Sequence, residues 1–167
     1  MAFSGHFQTT ELGTVEVDQQ RVLTFPKGIP GFEHCHHWHL FHEEKNNPVV
    51  FWLQSLDDPE VMLNVIDPAV LDVGYRISLT ETERHELDAR PDAPLAALLI
   101  LSRSGPEQRI KALTHAPIII NLQTQRGLQK IGVQCHILSS NTQIASKATP
   151  EAELAHAESA TIIYPNL

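Results

Sequence analysis

The residues with the clearest capacity for chemistry form a histidine-rich stretch, His34-Cys35-His36-His37-Trp38-His39-Leu40-Phe41-His42. Alternate side chains of a strand share a face, so an extended chain would place Cys35, His37 and His39 together. Thiolate and imidazole groups are ligands of zinc and nickel, which makes these three side chains a candidate metal site. The spacing matches no standard zinc motif, and no second Cys/His pair follows at a recognised distance. A histidine-rich polar edge strand without metal is therefore the favoured interpretation.

Motifs for covalent or nucleotide chemistry are absent from the sequence. It contains no G-x-S-x-G elbow, no P-loop and no G-x-G-x-x-G stretch. The acidic residues stand next to turns rather than inside apolar sequence, so nothing indicates a carboxyl group whose pKa is raised for acid catalysis. The sequence therefore predicts a protein that is not an enzyme and that needs no cofactor.

Acidic residues beside turns are the best candidates for recognition, namely Asp57, Asp58, Glu60, Asp67 and Asp72. The chain carries 20 Asp and Glu against 12 Lys and Arg, a formal net charge of -8. Direct nucleic-acid binding is disfavoured because it depends on neutralising phosphates. These residues are either an ordinary solvated rim or a surface that attracts a basic protein partner.

The segment from Phe25 to Phe32 holds two turn signatures in succession, and a corner without a further role is the favoured interpretation of the segment alone. Phe25-Pro26-Lys27-Gly28 suits a type I turn, and Ile29-Pro30-Gly31-Phe32 suits a type II turn with glycine at the position of positive φ. The prolines cannot join the interior of a sheet, because they lack an N–H. We expect a rigid corner between two strands, with both phenylalanines able to fill the core.

Short segments of β-forming residues separated by turn residues run through the rest of the chain. Residues 14–17 and 21–25 are predicted to form a hairpin, and residues 49–53 a strand that is buried on both faces. Thr80-Glu81-Thr82-Glu83 predicts a capping box that opens a helix ending near Leu87. The other predicted strands are residues 38–41, 61–66, 95–101, 109–113, 118–121 and 128–137. About nine strands and one short helix predict an all-β, mainly antiparallel fold, either a sandwich or a small β-barrel.

Composition changes near residue 139 towards Ala, Glu, Ser and Thr. We therefore predict a β-barrel-like domain at residues 1–138 and a C-terminal tail at residues 139–167, with a possible helix at 150–157 that begins at Thr149-Pro150. The N-terminus lacks the pattern of a signal peptide, and no apolar run is long enough to span a membrane. Cys35 and Cys135 form no disulfide framework. These features predict a cytoplasmic protein without a membrane contact.

Five motifs in series resemble the FliW family of flagellar assembly factors. They are Phe25-Pro26-Lys27-Gly28-Ile29-Pro30-Gly31-Phe32-Glu33, Leu53-Gln54-Ser55, Val65-Ile66-Asp67-Pro68 with Tyr75 following, Ala116-Pro117-Ile118-Ile119-Ile120-Asn121, and Gly127-Leu128-Gln129. The resemblance runs from about Gly13 to Val133, and it does not extend to the histidine-rich stretch or the tail.

The resemblance implies a small antiparallel barrel-like fold, no enzymatic activity and two protein partners. One partner is flagellin, bound before export. The other is the RNA-binding repressor CsrA, whose binding would relieve repression of flagellin mRNA translation. We predict that the partners bind a rim that contains Gln54, Ser55, Asp57, Asp58, Glu60, Asp67, Leu71, Asp72, Tyr75 and Asn121. A small-molecule- or metal-binding barrel that uses His34–His42 is the alternative.

Two positions depart from the family pattern. Leu113-Thr114 stands where members usually carry an Asn-Leu pair, and Arg76 follows Tyr75 where an acidic residue is common. A tenfold change in affinity needs only about 1.4 kcal/mol, so a few rim residues can change which partner is preferred. We expect measurable flagellin binding and leave CsrA binding open.

Overall fold

The computed structural model describes residues 5–44, 47–137 and 160–161. Its one α-helix within these residues, α1, spans Glu81–Leu87, and two 3₁₀ turns span Gln19–Arg21 and Pro68–Leu71. The strands, in chain order, are β1 (Gly5–Thr9), β2 (Gly13–Val17), β3 (Leu23–Thr24), β4 (His37–Phe41), β5 (Val50–Ser55), β6 (Met62–Ile66), β7 (Val73–Ile77), β8 (Leu95–Ser104), β9 (Arg109–Ala112), β10 (Ile118–Asn121), β11 (Arg126–Gln129), β12 (Cys135–Ile137) and β13 (Ala160–Thr161).

The main sheet closes on itself to form a barrel. Its strands run in the order β10-β11-β3-β4-β5-β6-β8, and β8 also pairs with β10, which completes the circle. All of these pairings are antiparallel except the short parallel contact between β11 and β3. Strand β9 extends from the far end of β8. The predicted all-β, mainly antiparallel barrel with one short helix is therefore confirmed.

Strands β8 and β10 are the centre of the core because both of their faces are buried. Ala96, Leu98 and Ile100 pack with one hydrophobic cluster, which also contains Phe25, Trp38 and Leu53. The alternate residues of β8, from Leu95 to Leu99, pack with a second cluster that contains β7 and α1 residues. Burying such a side chain contributes roughly 1.5–3 kcal/mol, so this pair of strands anchors two cores at once.

The proline-rich corner between β3 and β4 has the predicted turns. Gly28 N–H donates to Phe25 O at 2.9 Å, and Phe32 N–H donates to Ile29 O at 2.6 Å. Gly31 has φ +90°, as a type II turn requires. Phe25 is fully buried, and its ring meets Trp38 edge to face at 6.1 Å between centroids. The corner thus holds the start of β4 against the core.

Helix α1 begins with the predicted capping box. Thr80 Oγ1 accepts from Glu83 N–H at 3.2 Å, and the Glu83 carboxylate accepts from Thr80 N–H at 2.8 Å. The same carboxylate lies 2.7 Å from Lys130 Nζ, next to β11. The ion pair and the cap together dock the helix against the barrel.

The predicted hairpin between residues 14–17 and 21–25 is wrong. Strand β2 pairs with β1, a strand that was not predicted, and Gln19–Arg21 is a 3₁₀ turn capped by Asp18. The polar break at residues 18–20 therefore redirects the chain instead of reversing it. Strand β3 pairs with β4 and β11.

Other details of the strands also differ from prediction. Residues 128–137 are not one strand, because the chain turns at Ile131-Gly132 between β11 and β12. Strand β5 is buried only in its second half, since Val49 and Val50 are 49% and 37% exposed. Gly127 is inside β11, where a Cβ would overlap the Phe25 ring. A buried close approach explains this glycine better than turn geometry does.

Strand β7 was also not predicted, and it organises a smaller sheet in the order β12-β7-β13. Ala160 and Thr161 pair with Ile77 and Arg76, so this part of the tail lies on the domain. The predicted helix at residues 150–157 lies outside the described residues, and the boundary near residue 138 stays a prediction. No helix in the described part of the chain is long and apolar enough to cross a membrane.

Candidate functional site

The loop between β5 and β6 carries the first group of predicted rim residues. Ser55 Oγ accepts from Asp57 N–H at 3.1 Å and from Asp58 N–H at 3.0 Å, which folds the chain tightly after β5. Gln54 Nε2 donates to Ser55 O at 2.9 Å and to Val61 O at 3.2 Å. Gln54 and Ser55 are fully buried, so they shape this loop from inside the protein.

Asp57 ties the loop to the start of β4. One carboxylate oxygen accepts from the backbone N–H groups of His36 and His37, each at 2.7 Å, and the other lies 3.1 Å from His37 Nδ1. Burial raises the pKa of Asp57, but the hydrogen bonds from His37 and His36 outweigh burial and hold it below the ordinary value. The carboxylate is therefore ionised, and its hydrogen bonds are made to groups within the protein.

Asp58 and Glu60 present the remaining negative charge of this loop. Asp58 lies 3.1 Å from His34 Nε2, and this hydrogen bond, with that from Glu60 N–H, lowers its pKa. Glu60 is exposed. We call Asp57, Asp58 and Glu60 the acidic loop, of which Asp58 and Glu60 are the residues best placed to meet a partner.

The predicted metal trio is not brought together. Cys35 is fully buried, His37 bonds to Asp57, and His39 stacks on Phe41 at 4.4 Å between ring centroids. Burial lowers the pKa of His39, and its Nε2 has no hydrogen-bond partner among the described residues. Only the second half of the histidine-rich stretch is a strand, so the alternation assumed from Cys35 onward begins at His37.

The second group of rim residues lies at the other end of β6. Asp67 caps a 3₁₀ turn by accepting from Ala69 N–H at 2.8 Å, and burial raises its pKa. Asp72 ends this turn with φ +53°. Between them Val70 and Leu71 are 50% and 43% exposed.

Other exposed apolar residues lie close to this turn through the strand register. Val50 is paired with Ile66, the residue before Asp67, and Ile137 is paired with Val73, the residue after Asp72. Ile137 is 46% exposed. We call the set Val49, Val50, Val70, Leu71 and Ile137 the apolar end. It is separated from the acidic loop by the five residues of β6, or roughly 16 Å at about 3.3 Å per residue.

Tyr75 and Asn121 lie inside the protein. Tyr75 is 4% exposed and its hydroxyl donates to Thr114 O at 2.5 Å. Asn121 Nδ2 donates to Leu87 O at 3.0 Å and to Asp88 O at 3.2 Å, so it ties β10 to the end of α1. Four of the ten predicted rim residues are thus buried, and the exposed ones form two surfaces instead of one.

The positioning roles of Ser55 and Asp57 were not predicted from the sequence. A Ser-x-Asp-Asp-Pro order after a strand is a local signal for a side-chain-capped turn, and it could have identified Ser55 as a positioning residue. The contacts of Asp57 with His36 and His37 join residues twenty positions apart, and no local pattern carries that information.

Comparison with known proteins identifies the family. The family model described as "FliW protein" matches residues 6–142. The chain belongs to the FliW family. The flagellar assembly factor FliW of Chromobacterium violaceum is 36% identical over 141 residues, which is 79% of this chain and 96% of the relative. The flagellar assembly factor FliW 1 of Desulfotalea psychrophila is 36% identical over 125 residues, or 74% of this chain and 89% of the relative.

A solved structure supports the same assignment. The crystal structure of a flagellar assembly factor FliW superposes with a TM-score of 0.64 and 26% sequence identity, and it covers 80% of this chain and 96% of that protein. The FliW family resemblance carried by the five motifs is therefore confirmed. All five motifs lie within the matched residues 6–142.

Proposed function

We propose that this FliW-family protein is a non-enzymatic flagellar assembly factor. It binds flagellin in the cytoplasm before export, and it binds a CsrA-type repressor so that flagellin mRNA is translated. The observation that carries this proposal is the family match over residues 6–142, together with relatives named as flagellar assembly factors.

The acidic loop is the surface that we assign to the repressor. A protein that holds RNA must be basic where it contacts phosphate, so it is attracted to exposed carboxylates. The whole chain adds to this attraction with its net charge of -8. Exposed charges of this kind mainly raise the association rate and set partner choice.

The apolar end is the surface that we assign to flagellin. A subunit that will assemble into a filament carries apolar faces, and these need cover before export. Contiguous exposed apolar side chains bordered by polar groups are typical of protein-binding surfaces. Leu71 and Val70 would supply the anchors, while Asp67 and Asp72 lie at the border of the patch.

The two departures from the family pattern both involve β7. Tyr75 Oη donates to Thr114 O, which ties the Leu113-Thr114 pair to the strand that carries Arg76. This strand begins immediately after Asp72, at the border of the apolar end. We infer that these positions adjust the fit of flagellin more than that of the repressor.

Matched pairs of variants test the two assignments. Glu60→Lys should slow association with the CsrA-type repressor and weaken its dependence on salt. Glu107→Lys, which makes the same change in net charge at an exposed site after β8, should have a much smaller effect. Leu71→Asp should weaken flagellin binding by at least about tenfold, whereas Ile131→Asp, at a residue 69% exposed elsewhere, should not. Surface plasmon resonance at several salt concentrations measures both. Equal effects of the two variants in a pair would contradict the assignment of that partner to its surface.

A further inference from the structure

Within the part of the chain that the structure describes, one group of three side chains has the composition and spacing of a metal site. It consists of His34, Cys35 and Asp58, each of which offers one ligand atom, and these atoms all lie within 4.8 Å of one another. The group differs from the trio that strand alternation predicts, because the second turn of the corner places His34 and Cys35 before β4 begins.

Cys35 is the buried member of this group, and hydrogen bonds fix its backbone. Its N–H donates to Phe32 O at 3.0 Å, and its carbonyl accepts from Trp38 Nε1 at 3.0 Å. The residue is fully buried, which raises the pKa of its thiol, and the nearby Ser55 hydroxyl opposes that effect. The metal-free protein therefore holds a thiol with one polar neighbour already in place.

His34 and Asp58 close the group from the solvent side. Nε2 of His34 lies 3.1 Å from Oδ2 of Asp58, and the side chains are 62% and 31% exposed. The other oxygen of Asp58 accepts from Glu60 N–H at 3.0 Å, which fixes the carboxylate and leaves Oδ2 facing His34. The His34 ring and the Asp58 carboxylate are therefore reachable from solvent, and the buried Cys35 sulfur lies within 4.8 Å of a ligand atom of each.

We propose that His34, Cys35 and Asp58 form a binding site for a zinc-class divalent cation. Zinc takes nitrogen ligands near 2.0 Å, carboxylate oxygen near 2.0–2.2 Å and thiolate sulfur near 2.3 Å, and a set of three protein ligands leaves a position for water. Binding removes the proton from the Cys35 thiol, and the thiolate and the Asp58 carboxylate together balance the two positive charges. The exposed His34 ring can move to close the remaining distance.

Neighbouring donors do not complete the site. The Asp57 carboxylate is occupied by the backbone of His36 and His37 and by the His37 ring. The open coordination position therefore faces solvent at the acidic loop. Metal binding would also neutralise the Asp58 carboxylate. Occupancy of the site would therefore lower the negative charge of the acidic loop.

Cobalt titration tests the site without any partner protein, so its outcome is separate from that of the proposed function. Tag-free full-length chain, treated with chelator and reductant, is titrated with Co²⁺. A thiolate ligand predicts a sulfur-to-cobalt charge-transfer band in the near ultraviolet, and low coordination number predicts intense visible bands. Added Zn²⁺ should abolish both signals in proportion to the sites occupied.

Variants identify the ligands. Cys35→Ser should remove the charge-transfer band, and Cys135→Ser should keep it. His34→Gln and Asp58→Asn should each weaken Co²⁺ binding by at least about tenfold, since changing even a supporting group of a metal site costs that much. His42→Gln and Glu60→Gln are the matched controls.

Because Cys35 is buried, circular dichroism must first show that Cys35→Ser is folded. The exposed His34→Gln variant tests the site independently of that outcome. A missing charge-transfer band in the wild-type chain, or binding that His34→Gln leaves unchanged, would overturn the proposal.

Discussion

At the residue scale, Asp57 shows that an acidic residue next to a turn can be mainly structural. Its carboxylate accepts two backbone N–H groups at 2.7 Å and lies beside the His37 ring. Asp57→Asn keeps the shape but loses the charge, so we expect it to lower the free energy of unfolding by about 1–3 kcal/mol. Urea unfolding near pH 7 measures this. Glu60→Gln, in the same loop, should change it by less than about 0.5 kcal/mol.

The pH dependence of stability gives a second prediction about Asp57. Its pKa is lowered in the folded protein, so its contribution is present above the unfolded value of about 3.9 and is lost as pH falls through the folded value. The stability difference between wild type and Asp57→Asn should therefore be largest near neutral pH and shrink below about pH 4. Urea midpoints at a series of pH values measure it, and a difference that grows with acid would contradict the assignment.

Individual side chains were the hardest feature to predict from sequence. The acidic residues are at turns, as expected, and Glu60 is exposed. Gln54, Ser55, Tyr75 and Asn121 are polar residues in or beside the family motifs, and the resemblance led us to place them on the partner-binding rim. Their burial depends on partners far along the chain, such as Leu87 for Asn121 and Thr114 for Tyr75. Local pattern does not contain those contacts.

At the element scale, the corner from Phe25 to Phe32 predicts a difference between two glycines. Gly28 and Gly31 both have positive φ, at +69° and +90°. An added Cβ at Gly28 would lie 2.6 Å from Phe32 O, whereas nothing lies within 4 Å at Gly31. Gly31→Ala should cost about 1–2 kcal/mol from the left-handed conformation alone, and Gly28→Ala at least about 1 kcal/mol more. Chemical denaturation of both variants measures the difference, and equal losses would contradict this account of the corner.

Elements were predictable where local chemistry decides them. The capping box fixed the start of α1, and proline and glycine fixed the corner. Pairing was less predictable, since β2 joins β1 rather than β3, and this choice depends on which apolar faces meet. Phe7 of β1 and Val17 of β2 pack in a small cluster with Val22 and Leu56, a contact that only the assembled barrel provides.

At the scale of the whole molecule, the fold places the two proposed partner surfaces at opposite ends of one hairpin. The β5–β6 hairpin crosses the barrel wall, with the acidic loop at its turn and the apolar end at its open end. The barrel interior between them is filled by packed side chains such as Trp38, Leu53 and Val65. A rigid wall of this kind keeps the two surfaces at a fixed separation.

Direct binding of the two proposed partners tests the central claim. The purified chain is titrated by calorimetry with monomeric flagellin and, separately, with a CsrA-type repressor, and the repressor titration is repeated at low and high salt. We predict saturable one-to-one binding of flagellin that Leu71→Asp weakens, and any repressor binding should weaken as salt rises and be sensitive to Glu60→Lys. Strong repressor binding together with no flagellin binding would contradict the account.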